Sequence, residues 1–136
     1  KREVIGKVPF FKGASEQLTQ GIALAMRPVV YAPGDYVFRA GEEGREMFFI
    51  GRGSVQVMAS DEKSVAAVLS DGAFFGEFAL VLGKPRNASV RAVNYCDLYS
   101  LDKETFDRII GRHPEFAAHV RSMMDERRPS QSPTQQ

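Results

Sequence analysis

The spacing of apolar positions changes twice along the chain. Between Ser15 and Arg27, Leu18, Ile22, Ala25 and Met26 recur at helical intervals behind a serine, and Pro28 follows. This predicts an amphipathic helix with Ser15 as its N-cap and Pro28 as its stop. From Val29 to Leu101 the pattern becomes a series of short runs rich in Val, Phe, Tyr and Ile. Turn residues bound these runs at intervals of about eight to twelve positions, as in a β-sandwich or barrel. Strands are expected at Val29–Ala32, Tyr36–Arg39, Glu46–Ile50, Ser54–Ala59, Ser64–Leu69, Ala88–Asn94 and Asp97–Leu101. Pro33-Gly34-Asp35 joins the fixed φ of proline to a permissive glycine, and Gly41 to Gly44, Gly51-Arg52-Gly53, Ser60 to Lys63 and Ser70-Asp71-Gly72 supply further turns.

One stretch interrupts the β rhythm. In Phe75 to Asn87, the run Glu77-Phe78-Ala79-Leu80-Val81-Leu82 lies between glycines and is too apolar for a solvated loop. A short helix starting just after Gly76 fits its length. After Leu101 the period is helical again, with Asp102 as N-cap for Asp102 to Ile110 and Gly111 as its C-terminal stop. A further helix begins near Pro114, where a proline in the first turn loses no hydrogen bond. In it Phe116, Val120, Met123 and Met124 form one stripe, and Arg127 continues that stripe three residues beyond Met124. Pro129 to Gln136 hold no large apolar side chain and read as a disordered tail. The expected fold is therefore mainly β, an antiparallel jelly roll with an N-terminal helix, a short inserted helix and two C-terminal helices.

The length of 136 residues, 43% apolar and 26% charged, suits one globular domain that needs neither disulfide nor metal to hold a core. We expect it to span residues 1–128, with residues 1–12 as the end of a preceding linker. Residue 1 is lysine, which points to a processed or excised piece of a longer chain. The single cysteine, Cys96, has no partner for an internal disulfide and reads as a small core residue. With 18 Lys plus Arg against 17 Asp plus Glu, the net charge of +1 offers no broad field for gripping nucleic acid. No window approaches the roughly 18 consecutive apolar residues of a membrane span.

Candidate chemistry is concentrated in Phe75-Gly76-Glu77-Phe78-Ala79-Leu80 and the following Pro85-Arg86-Asn87-Ala88-Ser89-Val90. Gly76 lets backbone approach a ligand closely, and the first turn of a helix leaves N–H groups without intrahelical partners, which favours an anion. Arg86 adds a planar fork of donors suited to two phosphate oxygens. A carboxylate at Glu77 conflicts with a bare phosphate but suits a ligand that also presents a hydroxyl. A ribose 2′-hydroxyl beside a cyclic 3′,5′-phosphate satisfies both groups.

These two blocks resemble the phosphate cassette of the cyclic nucleotide-binding domain family: Phe-Gly-Glu, two variable positions, Leu, then Pro-Arg and a small residue before Ala. The resemblance extends over nearly the whole chain, taking in Pro33-Gly34-Asp35, Gly41, Gly44, Gly53 and Asp71-Gly72 as turns. Within the family, Val90-Arg91-Ala92, Tyr95 to Leu101, Gly44-Arg45-Glu46-Met47 and Val8-Pro9-Phe10-Phe11 look most like the C-terminal domains of cyclic nucleotide-gated and hyperpolarisation-activated channels. The resemblance implies that Glu77 takes the ribose, Arg86 the phosphate, and Gly76, Phe78 and Ala79 the backbone contacts around it. Val57, Leu69 and Phe75 then fall on the ribose and base cavity, and Arg127 falls where a lid residue covers the purine, a position that a slip of one would give to Arg128 or Glu126. Asn87 stands where channels responsive to cGMP often carry threonine, which inclines the reading to cAMP.

The plain alternatives are a structural ion pair for Glu77 and Arg86 and a solvated arginine at a helix end for Arg127. A cupin-type metal enzyme would need a cluster of histidines, and the two present, His113 and His119, both lie outside the β region. The expectation is a regulatory module that binds cAMP or cGMP, performs no chemistry on it, holds no cofactor or metal and transmits binding through its C-terminal helix to a channel pore. It would be a cytoplasmic domain of a membrane protein, tetrameric in the parent chain and monomeric when isolated. The alternative carrier is a transcription regulator, which would continue into a helix-turn-helix, or a kinase regulatory subunit, which would carry a second cassette.

Overall fold

A computed structural model of the chain describes residue 5 and residues 11–127, with side chains described through residue 122. Helix α1 spans Glu16–Ala25, and the Ser15 hydroxyl accepts from the Leu18 N–H at 3.1 Å, as an N-cap should. Leu18, Ile22 and Ala23 face inward. The helix ends two residues earlier than its periodicity implies. Arg27 precedes Pro28, whose ring disfavours helical backbone at the residue before it, and both already belong to strand β1 (Arg27–Tyr31).

Seven further strands follow: β2 (Tyr36–Phe38), β3 (Glu46–Arg52), β4 (Val55–Met58), β5 (Val65–Leu69), β6 (Phe74–Phe75), β7 (Val90–Ala92) and β8 (Cys96–Asp102). They form two four-stranded antiparallel sheets, ordered β1-β8-β3-β6 and β2-β7-β4-β5. This is the expected antiparallel jelly roll, with eight strands where the pattern of short apolar runs marks seven. Strand β6 was not expected. It is two residues long, and it exists because Phe74 and Phe75 pair with Phe49 and Phe48 of β3, a register that local periodicity does not reveal.

Strand β3 explains how one sheet serves two cores. Its side chains alternate in direction, so Phe48 and Ile50 join Val55, Phe75, Val90, Ala92, Cys96 and Leu98 between the sheets. Met47 and Phe49 face the other way, into a layer formed with Leu18, Ile22, Leu80, Phe106 and Val120 from the helices. Ile5 and Phe11, within the segment read as linker, are buried in that same helical layer. Cys96 is buried in the inter-sheet core, as expected of a small apolar residue.

Helix α2 (Glu77–Leu82) fills the break between β6 and β7 and starts just after Gly76. Helix α3 (Lys103–Ile110) is capped by Asp102, whose carboxylate accepts from the Thr105 N–H at 2.7 Å. Gly111 ends it with right-handed backbone, and the chain turns through Arg112 and His113 into α4 (Pro114–Arg127). Val120 of α4 is buried and the Phe116 ring stacks on Phe11 at 6.0 Å. Met123, Met124 and the Arg127 side chain lie outside the described residues, as does the 129–136 tail. Among the described residues no helix is long and apolar enough to cross a membrane.

Candidate functional site

A cleft of about 520 Å³ opens between the β4–β5 hairpin and the segment running from β6 through α2 to β7. Val57, Ala66, Ala67 and Leu69 line it from the hairpin, and Phe74, Phe75, Gly76, Glu77, Phe78, Ala79 and Leu82 from β6 and α2. Lys84, Pro85, Arg86, Asn87, Ala88 and Val90 continue the wall, and Phe38 closes it from β2. A concave, mostly apolar pocket with a few convergent polar groups is the usual form of a small-molecule site.

Gly76 makes the polar end possible. Its φ is 83°, and a Cβ there would meet the Arg86 Nη1 at 2.9 Å and the Glu46 carbonyl oxygen at 3.1 Å. Only glycine combines that left-handed turn with the close passage of a guanidinium. Gly44 plays the matching role behind the site, because a Cβ there would run into Ala79 and approach the Lys84 carbonyl at 2.9 Å. The loop carrying Gly44 also fixes the Arg86 backbone. The Arg86 N–H donates to the Glu42 carbonyl at 2.8 Å, and the Gly41 N–H donates to the Arg86 carbonyl at 2.8 Å.

The Arg86 side chain is only 4% exposed. Its guanidinium carbon lies 3.9 Å from the centre of the Phe38 ring, a cation–π placement. Nη1 donates to the Gly76 carbonyl at 3.5 Å, Nη2 stands 3.9 Å from the Glu46 carboxylate, and Nε is buried with no hydrogen-bond partner. Both contacts are long beside the roughly 2.7–2.9 Å of a strong charge-assisted bond. Burial pushes the arginine pKa down, while the charges of Glu46, Glu42 and Tyr31 push it back up; a guanidinium keeps its proton regardless. The same cluster acts on Tyr31, whose phenol is raised by burial and by the carboxylates of Glu46 and Asp35 against the opposing pull of Arg86. A buried cation with an unused donor stands at the wall of an open cleft, an arrangement that an anionic ligand completes.

Glu77, 9% exposed, opens α2, where the helix dipole favours a carboxylate. Phe75 is buried and stacks on Phe48 at 5.3 Å, so it holds the floor rigid. Val57 and Leu69 are half-buried on the hairpin wall, Asn87 is exposed, and Phe78 is half-buried on α2. Nine sequence-derived candidates thus converge on one cleft: Val57, Leu69, Phe75, Gly76, Glu77, Phe78, Ala79, Arg86 and Asn87. Arg127 closes α4, and its side chain lies outside the described residues.

The sequence profile of the cyclic nucleotide-binding domain matches residues 28–113, which contain every described residue of the cleft. The chain belongs to that family. The cyclic nucleotide-gated channel beta-3 of Canis lupus familiaris is 40% identical to this chain over 116 residues, covering 82% of this chain and 15% of the channel. The cyclic nucleotide-gated channel rod photoreceptor subunit alpha of Gallus gallus is 34% identical over 131 residues, covering 92% of this chain and 20% of its own length. The potassium/sodium hyperpolarization-activated cyclic nucleotide-gated channel 2 of Mus musculus is 36% identical over 113 residues, covering 83% of this chain and 13% of the channel. The chain therefore spans a fifth or less of each of these channels. In overall shape it matches the N-terminal domain of a transcriptional regulator from Streptomyces coelicolor A3(2), with a TM-score of 0.79 and 20% identity over 95% of this chain and 97% of that one. At that identity the likeness concerns the fold.

Sequence reasoning missed several walls of the domain's cleft. Phe38 is the chief omission, since it lies under the Arg86 guanidinium from a strand nearly fifty positions away, and only the paired topology brings it there. Ala66 and Ala67 were also overlooked, although the Val57↔Ala67 register of the hairpin places Ala67 beside a residue that was singled out. Two adjacent strands joined by a short turn are the one nonlocal pairing that a sequence pattern does signal.

Proposed function

We propose that the domain binds a purine cyclic nucleotide, with cAMP preferred over cGMP, in the cleft between the β4–β5 hairpin and α2. In this reading Arg86 and the backbone of Gly76, Phe78 and Ala79 hold the cyclic phosphate. Glu77 accepts from the ribose 2′-hydroxyl, and Val57, Leu69 and Phe75 contact sugar and base. Asn87 reaches the ligand from the cleft wall. The carrying observation is the buried Arg86, whose Nε has no partner and whose other contacts are long. When the Arg86 side chain turns into the cleft, an equatorial phosphate oxygen supplies an acceptor to a donor that is otherwise buried and unsatisfied at a cost of about 1–3 kcal/mol.

The domain does no chemistry on its ligand and requires no cofactor. Its output is movement of α4 over the base, with Arg127 as the lid residue, and in the parent chain this biases a channel pore. The relatives that support this reading are channels at 34–40% identity, which also favours a cytoplasmic domain in a tetrameric membrane protein. The isolated domain is a monomer spanning residues 1–128. Calorimetric titration with cAMP and with cGMP tests the proposal. Saturable binding of either, with cAMP the tighter, is expected. No heat and no displacement of a fluorescent analogue at millimolar nucleotide would overturn it.

A further inference from the structure

Arg86 does not face its ligand alone. Glu46 sits 3.9 Å behind it, with a side chain 45% exposed against 4% for the arginine. Glu42 holds the Arg86 N–H through its carbonyl at 2.8 Å, and its carboxylate turns back to accept from the Arg39 N–H at 3.1 Å. Glu77 stands on the cleft wall, and Tyr31 belongs to the same electrostatic cluster. Against these acids the described lining offers one further cation, the exposed Lys84. Arg45 is already engaged with Glu43 at 3.4 Å in water. No histidine lines the cleft among the described residues.

We propose that Glu46, reinforced by Glu42, sets the charge the site tolerates, admitting a singly charged phosphodiester and rejecting a doubly charged phosphomonoester. The inference rests on the proposed nucleotide site and adds residues that do not touch the ligand. At 3.9 Å the Glu46 pair is too long to consume the donors on the cleft side of Arg86, so one negative charge finds a buried cation waiting. That cation is already partly matched from behind, so a second negative charge on the same phosphorus meets three carboxylates and one solvated lysine. Because Arg86 is buried and Glu46 only half-exposed, such repulsion is screened less than between fully exposed charges. Opening the ring of a cyclic nucleotide turns a diester into a monoester with a second ionisation near pH 6, so the site reads ring opening as a gain of charge as well as a change of shape.

The experiment is competition calorimetry with cAMP, AMP and the methyl phosphodiester of AMP, which is acyclic but singly charged, from about pH 5.5 to about pH 7.5, across the phosphomonoester's second ionisation. In the wild type we expect AMP to weaken as pH rises, cAMP to stay level, and the methyl ester to outbind AMP at the upper end. E46Q, checked for folding by circular dichroism, should narrow the AMP-to-cAMP affinity gap about threefold or more, and E42Q should move it in the same direction. A pH-independent AMP affinity, a methyl ester as weak as AMP at the upper end, or an unchanged gap in folded E46Q overturns the proposal. The wild-type series decides the matter if E46Q does not fold. Absence of cAMP binding removes the nucleotide site itself, whereas cAMP binding with a charge-blind gap removes only this inference.

Discussion

Arg86 is buried more completely than its contacts justify, and that mismatch defines the site at the scale of single residues. A cation at 4% exposure with a 3.5 Å hydrogen bond, a 3.9 Å ion pair and an idle Nε is stable only because Phe38 lies under it and the carboxylates behind it offset its charge. Replacing Arg86 by alanine should therefore cost little or nothing in apo stability while weakening nucleotide binding by about 1.5–3 kcal/mol, the range for a charge-assisted hydrogen bond. Thermal melting and calorimetry on the same samples check both halves, and unchanged affinity would remove the phosphate role. Gly76→Ala should behave differently. It forces a Cβ against Nη1 at 2.9 Å and a side chain into φ 83°, so stability and affinity should fall together by about 1–3 kcal/mol of backbone strain.

Among elements, the capped helices and the strands bounded by turn residues were legible in the sequence, and the partners that strands meet across the sandwich were not. Ser15 and Asp102 announce their helices because a short side-chain acceptor answers an orphan N–H three residues on, and both bonds are present. The run after Gly76 announced α2 by its apolar content between glycines. Strand β6 and the place of Phe38 under Arg86 depend on which strands meet across the sandwich, and no local pattern encodes that. Asp102 allows a test at this scale. Its carboxyl is held below the usual range first by the Thr105 N–H, and Lys103 beside it donates its N–H to the Arg45 carbonyl at 2.7 Å. Asp102→Ala should lower stability by about 0.5–2 kcal/mol near neutral pH. A carboxyl depressed in the folded state contributes stability above its unfolded pKa and loses it as pH falls through the folded value. The gap between wild type and variant in chemical denaturation should therefore shrink in acid, and a gap that persists there would show that the cap acts by packing alone.

In the whole molecule the question is how a cleft bounded by the β4–β5 hairpin, β6 and α2 could be coupled to α4. Helix α4 is anchored at its start, with Phe116 stacked on Phe11 and Val120 buried in the helical layer beside Leu80 of α2. The helix that places Glu77, Phe78 and Ala79 on the wall of the cleft thus shares a core with the helix proposed to close over it. A ligand shifts such an equilibrium only by its differential affinity for the two arrangements, so contacts from the distal half of α4 must supply that difference. At about 100 times its Kd, cAMP should add about 2.7 kcal/mol of stability, a rise of about 8–13 °C in Tm for a chain of this length. Removing residues 123–136 leaves Phe11, Phe116 and Val120 in place, so the apo melting temperature and far-ultraviolet circular dichroism should stay close to wild type. Nucleotide affinity in that truncated chain should fall about tenfold, which is about 1.4 kcal/mol, and the ligand-induced rise in Tm should shrink with it. Full affinity after truncation would mean that the jelly roll and α2 alone complete the site, leaving α4 without the differential contact that coupling requires.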